Sequence, residues 1–185
     1  MNTMEKKEPF DIFRFAVENK ATLTVSAFVL FLVVSCPTKA SVFFGILFCS
    51  FGEALRALSI SEKTDEETLI TTGIYGHVRN PEHLGNFFVG LGILVMGNIF
   101  IFVLGYVLIF LFIYPPKIES EEDILREKFG EAFEEYEINV PSLLPRFIPW
   151  QETEIKFNLN TIVLYKEHQV WFAIYVITII MFLKT

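Results

Sequence analysis

Between Glu67 and Asn86 the chain gathers two histidines, an arginine, a tyrosine, an Asn-Pro step and three glycines into twenty residues. Apolar segments flank this stretch on both sides. A polar island between such segments is a functional-site candidate, because irregular polar backbone at a membrane persists only where protein or water satisfies it. Asn80-Pro81 reads as an N-cap followed by proline at the first helical position. The N–H groups that follow, near Glu82 and His83, form a seat for a carboxylate. Thr71 to Gly76 reads as a turn in which Gly73 and Gly76 permit close backbone approach to a ligand. Leu69, Ile70 and Tyr75 are spaced to sandwich a flat ring. By themselves the same residues also suit an ordinary interhelical loop with a capped helix start, and His77 suits either a site-facing group or a solvated loop residue.

The elements that must position these groups are apolar. Of 185 residues, 52% are hydrophobic, 21 are phenylalanine, and the mean hydropathy is +0.47. That length suits one domain, and the composition points to an all-α integral membrane protein rather than a soluble one. The net charge of −7 is concentrated in 62–67 and 119–137, and no basic patch for nucleic acid is present. Cys36 and Cys49 lie in apolar runs and read as buried thiols without a disulfide. Residues 1–20 are charged throughout and lack a signal-peptide core; within them 10–17 reads as an amphipathic surface piece.

Five membrane helices are expected, at 21–36, 41–60, 81–97, 99–114 and 168–184. Residues 84–114 carry no charge and would form a helix too long for one crossing, so Gly97-Asn98 is taken to divide them into a tight hairpin. Gly85, Gly90, Gly92 and Gly105 would let its backbones approach, and Pro115-Pro116 would end its second arm. Glu53 and Arg56, three apart, share a helix face and would pair or snorkel to the interface. A charged amphipathic helix is expected over about 119–139. Ser120 and Asp123 have capping-box form there, and Ile118, Leu125, Phe129, Ala132 or Phe133, Tyr136 and Val140 recur at helical spacing. Residues 141–150 read as a proline- and aromatic-rich interfacial connector, and 152–166 resists assignment. With the island in the cytosol, thirteen of the fifteen Lys and Arg fall on that side, leaving Lys39 and Lys184 opposite, a clear positive-inside bias. The segments 61–83 and 117–140 then meet on one membrane face, where a cofactor site is expected.

The island TTGIYGHVRNPEHLGN resembles the G-x-Y-x-x-x-R-[HN]-P-x-Y-x-G signature of the isoprenylcysteine carboxyl methyltransferase family, related to the phospholipid N-methyltransferases. The later stretch EEDILREKFGEAFEEYEINVPSLLP resembles the second half of that signature, and the likeness covers 45–149. The resemblance implies S-adenosylmethionine as methyl donor, leaving S-adenosylhomocysteine. By motif position Glu67, Thr68, Leu69 and Ile70 would line the adenosine, with Tyr75 beside it. Asn80, Pro81, Glu82 and His83 would hold the methionine end, and Glu122 would accept its ammonium. The family's substrate-binding arginine is Lys117 here, a point charge without the bidentate fork, and His83 stands where the family usually has tyrosine.

The chemistry implied divides by acceptor. A carboxylate, with a pKa near about 4, is already ionised and needs only Lys117 to hold it. An amine, as in a phospholipid headgroup, must lose a proton, for which His83 or Glu82 is the candidate base. In either case the expected acceptor is lipophilic, an isoprenylcysteine-like or other lipid molecule that enters from the bilayer. A carboxyl O-methyltransferase is the reading preferred here. The alternatives are a phospholipid N-methyltransferase, an NADPH-dependent membrane reductase and a non-enzymatic scaffold. No metal site is expected.

Overall fold

A computed structural model describes residues 19–63, 67–151 and 157–185. The amphipathic piece expected at 10–17, and 152–156 of the unassigned stretch, lie outside them. The chain divides into two units, 1–35 and 36–185. In the first, helix α1 (Lys20–Val34) is apolar on every side, with Val25, Leu30 and Val33 all exposed. A helix of that pattern suits lipid rather than water.

The second unit holds α2 (Lys39–Glu62), α3 (Pro81–Met96), α4 (Phe100–Phe129), α5 (Glu131–Asn139), α6 (Leu159–Leu164) and α7 (Glu167–Leu183), with a 3-10 turn at Gly73–Gly76. Among the described residues there is no strand. All five apolar segments are helical. Two of them, α2 and α4, are long and apolar enough to cross a membrane, whereas Thr22–Val34 and α7 are shorter apolar helices. Helix α2 starts on a reciprocal cap in which Thr38 Oγ1 accepts from the Ser41 N–H and Ser41 Oγ from the Thr38 N–H.

Helices α2 and α3 form the packing centre. Gly45 and Gly52 of α2 face Gly92 and Gly85 of α3, and a Cβ at any of the four would overlap the opposite backbone. The seven-residue spacing on both helices puts the small residues on one stripe, so the backbones meet without side chains between them. Cys49 lies on the same seam, its thiol directed at the Val89 carbonyl at 3.5 Å. Gly85 and Gly92 thus serve contact with α2, not the hairpin expected from sequence. Gly90 does face the hairpin partner, at Tyr106 of α4, but Gly105 has nothing within 4 Å of a built Cβ.

The hairpin turn falls at 97–99, with Asn98 in the left-handed region at φ 56°. Its second arm does not stop at Pro115-Pro116: α4 runs on to Phe129. Two prolines remove two helical hydrogen bonds. Beyond them, however, Ile118 and Glu122 are buried, and that anchoring carries the helix through. Ser120 and Asp123 are therefore mid-helix and cap nothing. The expected helix at 119–139 is instead the end of α4 plus α5, divided by Gly130 at φ 52°. Helix α5 packs Phe133 and Tyr136 with Val140 against Leu69, Leu125, Phe129 and Trp150, selecting Phe133 over Ala132 for the buried face.

The connector 141–150 lies alongside the island. Arg79 and Asn80 N–H donate to the carbonyls of Pro141 and Ser142, and Arg146 and Trp150 N–H donate to those of His77 and Gly76. At the other flank Arg56 ties α7 to α2: Nη2 and Nε donate to the two Glu167 carboxylate oxygens at 2.6 and 3.2 Å. The expected Glu53–Arg56 pair is present at 3.5 Å, and Arg56 also bonds Asn86.

Candidate functional site

A cavity of about 700 Å³ opens where the island, the start of α3, the far half of α4 and the turn before α7 converge. Each wall follows from the local sequence. Asn80-Pro81 starts α3, and the first helical bond is that of the Leu84 N–H to the Asn80 carbonyl at 3.1 Å. The Glu82 and His83 N–H groups precede that bond, at the positive end of the helix dipole. The uninterrupted α4 brings Lys117, Glu121, Ile124, Leu125 and Lys128 to the same space, and Tyr136 of α5 joins them. Leu69, Ile70 and Tyr75 form an apolar side.

Of the residues expected at a cofactor, Thr68, Leu69, Ile70, Tyr75, Asn80, Pro81, Glu82 and His83 all line this cavity, and so does Lys117. Glu67 and Glu122 do not line it. Glu122 is 2% exposed, and its oxygens are held by Arg79 Nη2 at 2.8 Å, Arg79 Nε at 3.0 Å and Asn80 Nδ2 at 2.7 Å. The Asn80 side chain therefore bonds Glu122 and Ser142 rather than capping α3.

Arg79 goes further. Its Nη1 donates to the carbonyls of Glu137 and Val140 at 2.7 and 3.0 Å, so one guanidinium joins the island, α4 and the end of α5. Tyr136 completes the link by donating its hydroxyl to the Tyr75 carbonyl at 2.8 Å, and Tyr75 donates to that of Ser59 at 3.4 Å. Burial pushes both phenols above the ordinary phenol range, because the phenolate is the form that loses solvation.

The glycines of the turn approach protein, not ligand. Gly73 sits at φ 58° with the Glu62 carboxylate where its Cβ would be, and that carboxylate accepts the Ile74 N–H at 3.1 Å. Gly76 abuts Pro149. His77 likewise is structural: its Nδ1 donates to the Arg146 carbonyl at 2.8 Å. On the cavity wall Lys63 pairs with Glu82 at 2.6 Å and lies over the Tyr165 ring at 5.4 Å. His83 Nε2 meets Glu121 Oε2 at 2.7 Å, and Lys117 lies 3.7 Å from the other oxygen of Glu121.

Sequence reading missed Lys63, Asn86, Glu121 and Tyr165. Glu121 had a signal, since helical spacing puts it one turn after Lys117. Tyr165 had none, because only the fold brings α7 back beside α2.

Residues 23–132 match the phospholipid methyltransferase family model, well over half of the chain. The chain belongs to the phospholipid methyltransferase family. The match contains both Glu67–Asn86 and Lys117–Glu122 and ends at the start of α5, so the connector 141–150, α6 and α7 lie beyond it. Curated relatives bear out the likeness to the isoprenylcysteine carboxyl methyltransferases. The protein-S-isoprenylcysteine O-methyltransferase of Xenopus laevis is 33% identical over 113 residues, covering 55% of this chain and 39% of that protein. The human protein of the same name is 34% identical, with 55% and 40% covered. A nickel-cobalt-cadmium resistance protein of Alcaligenes xylosoxydans xylosoxydans, NccN, is 35% identical over 104 residues, with 55% and 47% covered. The match thus spans about 40% of the length of the isoprenylcysteine relatives. No solved structure matches the chain.

Proposed function

We propose that this protein is a multi-pass membrane methyltransferase that uses S-adenosylmethionine on its cytosolic face to methylate a lipophilic acceptor. The observation that carries this reading is convergence. Residues 68–83 of the island contribute eight of the predicted site residues, and Lys117 of α4 a ninth, to one cavity of about 700 Å³, within the range of small-molecule sites.

The donor set suits the proposed cofactor. An adenosine would lie along Leu69, Ile70 and Tyr75. An amino-acid carboxylate would meet the first-turn N–H groups of α3, and its ammonium would meet Glu82 or Glu121, the carboxylates that face the cavity. Glu122, although expected in that role from motif position, would have to give up Arg79 or Asn80 to take it. We assign it instead to holding those two residues in place. When bound, the cofactor supplies an electrophilic methyl group. The chain's own residues orient the acceptor and exclude water.

The names of the isoprenylcysteine relatives favour a prenylated or isoprenoid carboxylate as acceptor, held by Lys117. Prenyl or acyl tails would enter from the bilayer beside the exposed apolar faces of α2 and α4. The positive-inside bias supports the cytosolic placement.

Calorimetric titration of S-adenosylhomocysteine into detergent-purified protein tests this, comparing wild type with Thr68→Trp, which fills the cavity mouth from an exposed position. Micromolar binding weakened at least about tenfold by the substitution, or about 1.4 kcal/mol, is expected. Absence of binding to the wild type, with NADPH bound instead, would replace the methyltransferase reading by a reductase. Binding of neither ligand leaves a scaffold.

A further inference from the structure

We propose that Asn86 binds the acceptor in this cavity and that its amide is aimed by Arg56 and Glu167, so that the last helix takes part in acceptor recognition. This rests on the methyltransferase reading above and adds a residue to the acceptor site described there.

The chemistry of the pair orients the amide. A guanidinium only donates, and Arg56 Nη1 donates to Asn86 Oδ1. The oxygen therefore faces Arg56, and Nδ2 with its two hydrogens faces away. Asn86 is half-buried and lines the cavity, with Arg56 behind it. Among the described residues Nδ2 makes no hydrogen bond, yet it is not one of the buried unpaired atoms, so it keeps open surface. It is an accessible donor held in one direction.

Arg56 is itself held. Its Nε and Nη2 fork onto the two Glu167 oxygens at 3.2 and 2.6 Å, and Glu53 lies 3.5 Å from Nε. A bidentate pair fixes the guanidinium plane, which leaves Nη1 for Asn86. The Arg56 and Glu167 side chains are 11% and 4% exposed, so water competes little for the pair. Gly85 clears the path, since a Cβ there would strike Arg56 Cγ. Glu167 opens α7, beyond residues 23–132 of the family match. No described side chain of α7 lines the cavity; the helix acts there through Arg56. Arg56 and Glu167 are thus positioning residues.

Depth decides what Asn86 meets. It stands one turn beyond Glu82 on α3, about 6 Å deeper toward the bilayer at about 1.5 Å per residue. The first-turn N–H groups suited to the cofactor's carboxylate lie above it. An acceptor whose tail comes from the bilayer therefore brings the group joined to that tail to Asn86. For a carboxylate, Nδ2 donates to one oxygen in a charge-assisted bond. The other oxygen supplies the electron pair for the bond to the methyl carbon, the carbon–sulfur pair stays with sulfur, and no proton moves. Lys117, 57% exposed and 3.7 Å from Glu121, adds charge; Asn86 adds direction.

Binding and steady-state kinetics on the full chain in detergent test this, with S-farnesyl-N-acetylcysteine as the acceptor probe. Asn86→Asp keeps an oxygen for Arg56 but has no N–H to offer, and Asn86→Leu removes the donors without adding charge. In both, the probe's KM, and its Kd with S-adenosylhomocysteine present, should rise at least about tenfold. The Kd of S-adenosylhomocysteine should stay within about twofold, and kcat should change less than KM. Glu167→Gln leaves the cavity lining untouched and should raise KM by a smaller factor. Added to Asn86→Asp it should have little further effect, because both act on one amide.

Unchanged probe affinity in both Asn86 variants would overturn the assignment. Weakened S-adenosylhomocysteine with intact probe binding would also overturn it, by giving the amide to the cofactor. Fully additive effects of Glu167→Gln and Asn86→Asp would remove α7 from acceptor recognition. A wild type that binds S-adenosylhomocysteine but not the probe would refute the carboxylate contact, whereas one that binds no S-adenosylhomocysteine fails the methyltransferase reading itself.

Discussion

Arg79 carries more of the structure than any other polar residue of the island. Its guanidinium holds a buried carboxylate with two nitrogens and two backbone carbonyls with the third. A lysine has one nitrogen and cannot reproduce that fork. Arg79→Lys is expected to cost on the order of 3 kcal/mol or more, because Glu122 remains buried with half its partners, and thermal unfolding in detergent will read the loss. Tyr136 belongs to the same cluster and sets a pH dependence. Burial raises the Tyr75 and Tyr136 phenols, so both stay protonated in the fold where the unfolded chain would ionise. Their contribution is intact below pH about 10, the ordinary phenol value, and is lost as pH rises beyond it. Tyr136→Phe should lower stability by about 1 kcal/mol through the lost hydrogen bond and flatten the decline above pH about 10.

Among the elements, the α2–α3 seam decides whether the site exists. The island leaves α2 at Lys63 and enters α3 at Pro81, so the separation of these helices sets the width of the cavity. Gly52→Leu would force a side chain into the backbone of Gly85 and Val89. Loss of monodisperse protein in size-exclusion chromatography is expected, since the seam has no room to relax and overpacking costs about 1–3 kcal/mol even in forgiving cores. Gly105→Leu, on a helix surface open to solvent or lipid, should change the unfolding temperature by no more than an ordinary surface substitution, within about 0.5 kcal/mol. The contrast separates the two kinds of glycine that sequence alone treats alike. Helix α4 matters for its continuity, because only an unbroken rod through Pro115-Pro116 aligns Tyr114, Lys117 and Glu121 on one face.

For the whole molecule, the exposed apolar side chains of α2 and α4, among them Phe43, Phe44, Phe100, Leu111 and Phe112, fit a lipid surround better than water. Cys36 lies at the opposite end of α2 from the cavity, where its N–H meets the Gly97 carbonyl and its own carbonyl accepts from Asn98. Its side chain is exposed, whereas Cys49 is buried. Under the proposed orientation a membrane-impermeant maleimide should label Cys36 only from the non-cytosolic side of sealed vesicles and leave Cys49 unmodified from either side. Labelling of Cys36 from the cytosolic side would invert the topology.

Among the described residues, apolar run length and the Asn-Pro step were sufficient to place the five apolar segments in helices, though not to carry α4 past Tyr114, because both act through neighbours in sequence. The island's residues could be grouped before folding for the same reason, as could the pair Glu53 and Arg56 on one helix face. Three decisions needed the tertiary structure. Pro115-Pro116 reads locally as a stop, yet the burial of Ile118 and Glu122 outweighs the lost hydrogen bonds. Glu122 and Glu121 are adjacent and chemically identical, and only the rotation of α4 against the island turns one into Arg79 and the other toward His83. Tyr165 reaches the cavity because Arg56 binds Glu167, a contact between residues 111 positions apart. Local propensity fixes which segments are helical; which face of each helix meets the cavity depends on long-range packing that no short window of sequence contains.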